Sequence, residues 1–287
     1  MNASSCKGTG RRAPTHNHRK PTVLEAYLRN RLKKKKILLM THVVAGYPSF
    51  DGAMNLVETM VHAGVDLMEL QIPYSEPIAD GPVILRANQK ALERGATVEK
   101  CLAFAAHAAH RFEIPFLIMT YYNILFRYGV DAFVARMAKA GLRGAIIPDL
   151  PPEEGREYLK AMTDHKLSPV LIFSPTTPFE RMQYLSGFAD GFVYCVARKG
   201  VTGAKTDFTR GISEYLSRCR KASPLPLAVG FGVKEKADVD YLAGKADIAV
   251  IGTKILRVME KDGVRAVGDF IRILRILGTS IGILVDN

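Results

Sequence analysis

Tryptophan is missing from this 287-residue chain, and cysteine is scarce. The four cysteines, Cys6, Cys101, Cys195 and Cys219, are scattered, and no two form a C-x-x-C pair. Such spacing excludes a disulfide framework and fits a chain kept reduced, with the cytoplasm as the expected setting. No apolar run reaches the ~20 residues that span a bilayer, so no membrane segment is predicted. The first twenty residues lack the apolar stretch of a secretory signal. Acids are missing there too, while Ser, Thr and Arg are present, so a disordered tail, an upstream start and an organelle transit peptide all fit. A G-x-G-x-x-G turn is also lacking. After the first strand-like run the chain reads AGYPSF, without the usual mark of a dinucleotide-binding sheet.

What is abundant is positive charge, +12 in all. Its location argues against nucleic acid. Residues 1–36 hold eleven Lys/Arg and one acid, Glu25, which places +10 on the N-terminal arm and leaves +2 for the rest. The remainder has the ordinary balance of an enzyme. Residues 1–22 are polar, basic and broken by Gly8, Gly10, Pro14 and Pro21, and are expected to be a disordered extension. From Thr22 to Lys36, Leu24, Tyr27, Leu28 and Leu32 recur at helical spacing. The run Lys33–Lys36 reads as the solvated end of that helix.

A regular alternation follows. Eight apolar strand-like runs occupy 37–45, 67–72, 116–122, 144–150, 169–174, 191–197, 226–232 and 248–253. Helical segments separate them, among them AMNLVETMVHAG, VDAFVARMAKAG, EGREYLKAMTDHKL and ISEYLSRCRKA. Strands alternating with helices imply parallel pairing and right-handed crossovers, and near-continuous apolarity implies strands buried on both faces. The predicted fold is α/β: a (β/α)8 barrel over residues 23–275 with an extra N-terminal helix, followed by a tail, 276–287. An open doubly wound sheet is the structural alternative.

In a barrel, chemistry collects at the C-terminal ends of strands. Glu69 sits in the apolar second strand, where a carboxylate is seldom buried without a reason. Aimed into the barrel mouth it suits proton transfer; aimed elsewhere it is half of an ion pair. The loop after it carries Glu76, Asp80-Gly81 and three prolines, Pro73, Pro77 and Pro82. Such a loop can hold Asp80 firmly, either toward a ligand or as the cap of the next helix. The last three strand ends carry Gly200 and Gly203, Gly230 and Gly232, and Gly252 with Thr253. Glycines let backbone N–H groups approach an anion, and barrels often bind phosphate after strands 7 and 8. Tyr121, Tyr122, Ile172, Tyr194 and Phe231 at other strand ends can wall an apolar pocket, and together suit a flat aromatic ligand joined to a phosphate.

The segment MELQIPYSEPIADGPVI (68–84) resembles the signature of tryptophan synthase alpha subunits, L-E-L-G-[IV]-P-[FY]-S-D-P-x-A-D-G-P. AGYP, PDLPPEE, GFVYCVARKGVTGAK, VGFGV and VIGTKI agree in order, so the resemblance spans roughly residues 23–275. It implies a lyase that cleaves indole-3-glycerol phosphate into indole and glyceraldehyde 3-phosphate in tryptophan biosynthesis. Glu69 matches the family's general acid/base, and Asp80 the carboxylate that engages the indole N–H. Tyr121, Ile172, Tyr194 and Phe231 match the indole pocket, and Gly203, Gly232, Gly252 and Thr253 the phosphate loops. Residues 198–206 match a closing loop, with Thr202 contacting the catalytic-loop Asp; Lys199 and Lys205 add charge to it. The resemblance further implies a beta-subunit partner in an alpha2beta2 heterotetramer, with pyridoxal phosphate only in that partner. No metal, nucleic acid or membrane is implied.

Three positions depart from the pattern. Gln71 stands where many members have Gly, Glu76 where many have Asp, and His42 where many have Phe at the indole pocket. Gln71 and Glu76 are expected on the loop that faces the partner. A weakened subunit that chiefly activates its partner and a free-standing indole-producing lyase are the alternative functions. A phosphoribosyl isomerase barrel is a more distant one.

Overall fold

In the computed structural model the described residues are 20–77, 80–196, 205–230 and 232–275, with backbone only for 205–210. The chain opens with α1 (Val23–Leu32), then β1 (Leu38–Val44), α2 (Phe50–Ala63) and β2 (Leu67–Gln71). Two helices, α3 (Pro82–Glu93) and α4 (Val98–Arg111), lead to β3 (Phe116–Met119). Two more, α5 (Tyr122–Tyr128) and α6 (Val130–Lys139), lead to β4 (Gly144–Ile146). The rest alternates singly: α7 (Arg156–Asp164), β5 (Ser168–Phe173), α8 (Phe179–Ser186), β6 (Val193–Val196), α9 (Lys205–Ala222), β7 (Leu227–Gly230), α10 (Lys236–Leu242), β8 (Ile248–Ile251) and α11 (Thr253–Arg275). All eight strands are parallel, and β1 pairs with both β2 and β8, which closes the barrel. The open-sheet alternative is thereby removed.

Side chains alternate along each strand, and the barrel uses both faces. Leu38, Met40, Leu67, Leu117, Ile146, Val170, Ala228, Ile248 and Val250 form one buried cluster inside the barrel. Their neighbours in sequence, such as Leu39, Met68, Phe116, Ala145, Leu171, Val193, Leu227 and Ala249, belong to a second cluster under the helices. The pleat therefore explains why these strands lack a polar face.

Helix α1 closes the barrel from its N-terminal end. Leu24 and Leu28 are fully buried in the inner cluster, with Tyr27 and Leu32 against it. Each buried leucine contributes about 1.5–3 kcal/mol. Thr22 caps this helix, accepting from the Glu25 N–H, and its hydroxyl donates to Asp190 Oδ1 at 2.8 Å beside Ser168 Oγ. Thr22, counted with the expected extension, is thus bonded to the barrel. Residues 1–19 and 276–287 lie outside the described residues.

The expectation of a solvated Lys33–Lys36 run needs correction at one position. Lys33, Lys34 and Lys36 are exposed, but Lys35 Nζ lies 2.6 Å from Asp66 Oδ1, which Arg31 also holds at 2.6 Å. Asp66 is buried, and its other oxygen accepts the Leu39 N–H, so the basic run anchors α1 to the start of β1. Cys101, Cys195 and Cys219 are free thiols in the core, and burial pushes the Cys101 thiol up to about 12. Among the described residues no helix is long and apolar enough to cross a membrane, and no His/Cys/Asp/Glu group is arranged to hold a metal.

Candidate active site

The inner face of each strand continues upward into a cavity of about 550 Å³ at the C-terminal end of the barrel. That volume lies within the roughly 300–1,000 Å³ of small-molecule sites. The pleat dictates its lining: two residues above Met40 on β1 comes His42, above Leu67 on β2 comes Glu69, and above Val170 on β5 comes Ile172. All three face the cavity, with Met119, Ile146, Tyr194, Val196 and Val250.

His42 and Glu69 are register partners on adjacent parallel strands, so their side chains leave the sheet together. His42 Nδ1 lies 2.9 Å from Glu69 Oε1, and both residues are buried. The Tyr194 hydroxyl donates to the same oxygen at 3.5 Å. Glu69 Oε2 has no partner among the described residues. Burial by itself would push the His42 imidazole down. The hydrogen bond and charge of Glu69, the charge of Asp80 and contact with Gln71 outweigh it, and the net shift is upward. Burial, with the charges of Glu69 and Asp80 added, drives the Tyr194 phenol far above its ordinary value, so it remains a neutral donor.

Asp80 enters the cavity from the loop between β2 and α3. The cap of α3 is Gly81, without a side-chain bond, so Asp80 is not spent as a helix cap. Its Oδ2 accepts from Gln71 Nε2 at 2.7 Å and from Asn88 Nδ2 at 3.4 Å. The expected placement of Gln71 is corrected here. It is the last residue of β2, completely buried, and it faces Asp80 rather than a partner. Strand parity accounts for this, since Gln71 is two residues beyond Glu69 and shares its face.

The stretch of wall that follows β7 and β8 is cationic. Gly232, Val233 and Lys234 follow β7, while Gly252, Thr253, Lys254 and Arg257 belong to the start of α11, and all line the cavity. Gly232 has φ +101°, which only glycine adopts without strain. A helix start supplies unpaired N–H groups and a favourable field for an anion. Gly230 has another task than the one expected from its strand-end position. A Cβ there would meet the Tyr194 ring at 2.3 Å, so its bareness makes room for Tyr194.

Of the residues singled out in the sequence, Glu69, Asp80, Ile172, Tyr194, Gly232, Gly252 and Thr253 are brought to one cavity. Tyr121 is not among its lining. It is buried beside the mouth and stacks on Tyr74 of the β2 loop, ring centroids 4.7 Å apart. Gly200, Thr202, Gly203 and Phe231 lie outside the described residues, as does the closing loop up to residue 204. The sequence reading missed Lys234, Lys254 and Arg257. Helical spacing carried a signal, because Arg257 lies one turn after Thr253.

The family model described as tryptophan synthase alpha chain matches residues 28–273. The tryptophan synthase alpha chain of Desulforapulum autotrophicum is 64% identical over 252 residues, covering 88% of this chain and 100% of that one. That of Syntrophotalea carbinolica is 58% identical over 253 residues, again 88% and 100%. Among solved structures, Mycobacterium tuberculosis tryptophan synthase superposes with TM-score 0.82 at 30% identity, covering 89% of this chain and 98% of that one. The alpha subunit from Legionella pneumophila gives 0.81 at 29%, covering 90% and 98%. A closed barrel whose cavity holds two carboxylates and a cationic stretch of wall, and this degree of likeness along nearly its whole barrel, place the chain in the tryptophan synthase alpha chain family, lyases of tryptophan biosynthesis.

Proposed function

We propose that the cavity binds indole-3-glycerol phosphate and cleaves it to indole and glyceraldehyde 3-phosphate, with Glu69 as proton carrier and Asp80 as the partner of the indole N–H. The observation that carries this reading is the composition of one cavity: Glu69 and Asp80 from β2 and its loop, Lys234, Arg257 and the start of α11 after β7 and β8, and apolar Met119, Ile146, Ile172 and Val250 in the same lining. A flat heteroaromatic ring joined to a phosphate matches that composition.

The proton balance is closed. Glu69 delivers a proton to C3 of the indole, which leaves positive charge on the ring nitrogen. Asp80, across hydrogen-bond reach of that N–H, stabilises the charge. The hydroxyl on the adjacent glycerol carbon then loses its proton to Glu69, the C3–C bond breaks, its electrons return to the ring, and an aldehyde forms. Glu69 ends as it began. The phosphate, held by Gly232, Gly252, Thr253 and the three cations, fixes the position of the reacting carbons. Gly203, Thr202 and Phe231 retain their family roles in this reading, at the phosphate, the closing loop and the indole pocket.

An alpha chain of tryptophan synthase implies a beta partner. An alpha2beta2 heterotetramer, pyridoxal phosphate in the beta chain only, and a cytoplasmic setting complete the proposal. The test is indole release from indole-3-glycerol phosphate, with and without a beta subunit. Glu69→Gln should lower turnover by about a hundredfold or more while leaving binding to the beta chain intact. Glu69→Gln with most of its activity retained would remove Glu69 from the chemistry. Full activity of the isolated chain would favour the free-standing lyase.

A further inference from the structure

The arrangement around Glu69 contains a group that the cleavage scheme does not use. His42 is buried in the cavity wall, its Cβ packed 3.3 Å from the position a Gly252 side chain would take, and its Nδ1 bonds Glu69 Oε1. A carboxyl that must give a proton to one atom and collect it from another needs a defined orientation. Two contacts, from His42 and Tyr194, fall on Oε1, and none among the described residues falls on Oε2. One oxygen is held and the other is left for the substrate.

We propose that His42 is a positioning residue for Glu69: its Nδ1–H fixes Oε1 so that Oε2 meets the substrate, and the pair holds the one transferable proton that Glu69 delivers to C3, so loss of that proton sets the upper pH limit of cleavage. The inference rests on Glu69 being the proton carrier. His42 itself is unchanged over a turnover, since the proton given to C3 is replaced by the one from the hydroxyl.

The groups facing His42 are few. Glu69 and Gln71 come from β2, Asp80 from the loop after it, and Tyr194 from β6. Lys234, Lys254 and Arg257 stand on the wall of the same cavity. The carboxylates favour the charged imidazole, and the nearby Gln71 amide adds to that. Phenol and ammonium groups ordinarily titrate near pH 10, well above imidazole. An alkaline limb in the neutral-to-weakly-basic range therefore points to His42.

The experiment measures kcat and KM for indole release with the beta subunit present, from about pH 5 to about pH 10, for the wild-type chain, His42→Asn, His42→Phe and Glu69→Gln. His42→Phe should lower kcat by about tenfold to a hundredfold with KM changed less than about twofold, and its alkaline limb should be displaced from the wild-type position. His42→Asn, which keeps an N–H near the Nδ1 position, should recover part of kcat and also show a displaced limb. Variants that retain the wild-type limb, or kcat within about twofold of wild type, would overturn the role of His42. If His42→Phe fails to fold, His42→Asn decides alone. Glu69→Gln separates the two readings. If it remains active, the carrier assignment falls; if it is inactive while both His42 variants keep the wild-type profile, only the inference about His42 falls.

Discussion

His42 Nδ1 and Glu69 Oε1 lie 2.9 Å apart on neighbouring strands, a buried hydrogen-bonded pair in the wall of the cavity. The pair couples stability to pH as well as chemistry. The folded chain raises the His42 value above that of a free imidazole, so the folded state binds the proton more tightly than the unfolded one. Its stabilising effect is complete below about pH 6.5 and is lost as pH rises through the folded value.

The first prediction follows from that sign. The melting temperature of the wild-type chain, relative to His42→Phe, should fall between weakly acid and alkaline buffer. Thermal denaturation of both proteins across that range checks it. A constant difference would mean that folding leaves the proton affinity of His42 unchanged.

Asp80 gives a second. Asp80→Asn removes the charge set against the indole N–H and should lower kcat by about a hundredfold. Gln71→Ala removes only the 2.7 Å bond that holds Asp80 and leaves the 3.4 Å contact with Asn88, so about a tenfold loss is expected. Steady-state indole release measures both. Equal losses would mean Gln71 does more than orient Asp80.

The cationic wall gives a third. Arg257→Ala should raise KM by about tenfold and change kcat little, because it removes binding to a part of the substrate that does not react. Inorganic phosphate, as a competitive inhibitor, should weaken in parallel. A fall in kcat with KM unchanged would place Arg257 in the chemistry instead.

Thr22 gives the last. Deleting residues 1–19 should leave indole release unchanged. Thr22→Ala removes the cap of α1 and the bond to Asp190, and should cost about 1 kcal/mol or more in denaturant unfolding. No measurable change would mean that Leu24, Leu28 and the ion pairs to Asp66 hold α1 without its cap.

Much of this was legible in the residues because a parallel barrel imposes two strong periodicities. The eight apolar runs lie where β1 to β8 are, and Gly64 and Gly141 close α2 and α6 at left-handed φ as their sequence positions suggested. Glu69 stood out as an acid inside an apolar strand. The loops were less readable. The paired helices α3/α4 and α5/α6 show no strong punctuation, and the turns between them rest on single glycines, Gly95 and Gly129. Gln71 was placed on the wrong side because its distance from Glu69 was read as loop rather than as strand parity. His42 looked like a simple departure, since its significance depends on a register partner 27 positions away. Lys35 looked solvated because Asp66, its partner, lies on another element.

The seal formed by α1 governs traffic. Leu24 and Leu28 occupy the lower end of the barrel, so among the described residues a ligand has packed side chains beneath it and no passage. Arrival and departure share one door, the rim formed by the loops after the strands. Indole has no charge to hold it against the cationic wall once the carbon–carbon bond is cut, whereas the sugar phosphate does. The order of departure is then a matter of charge, with the neutral product free to go first toward whatever covers that rim.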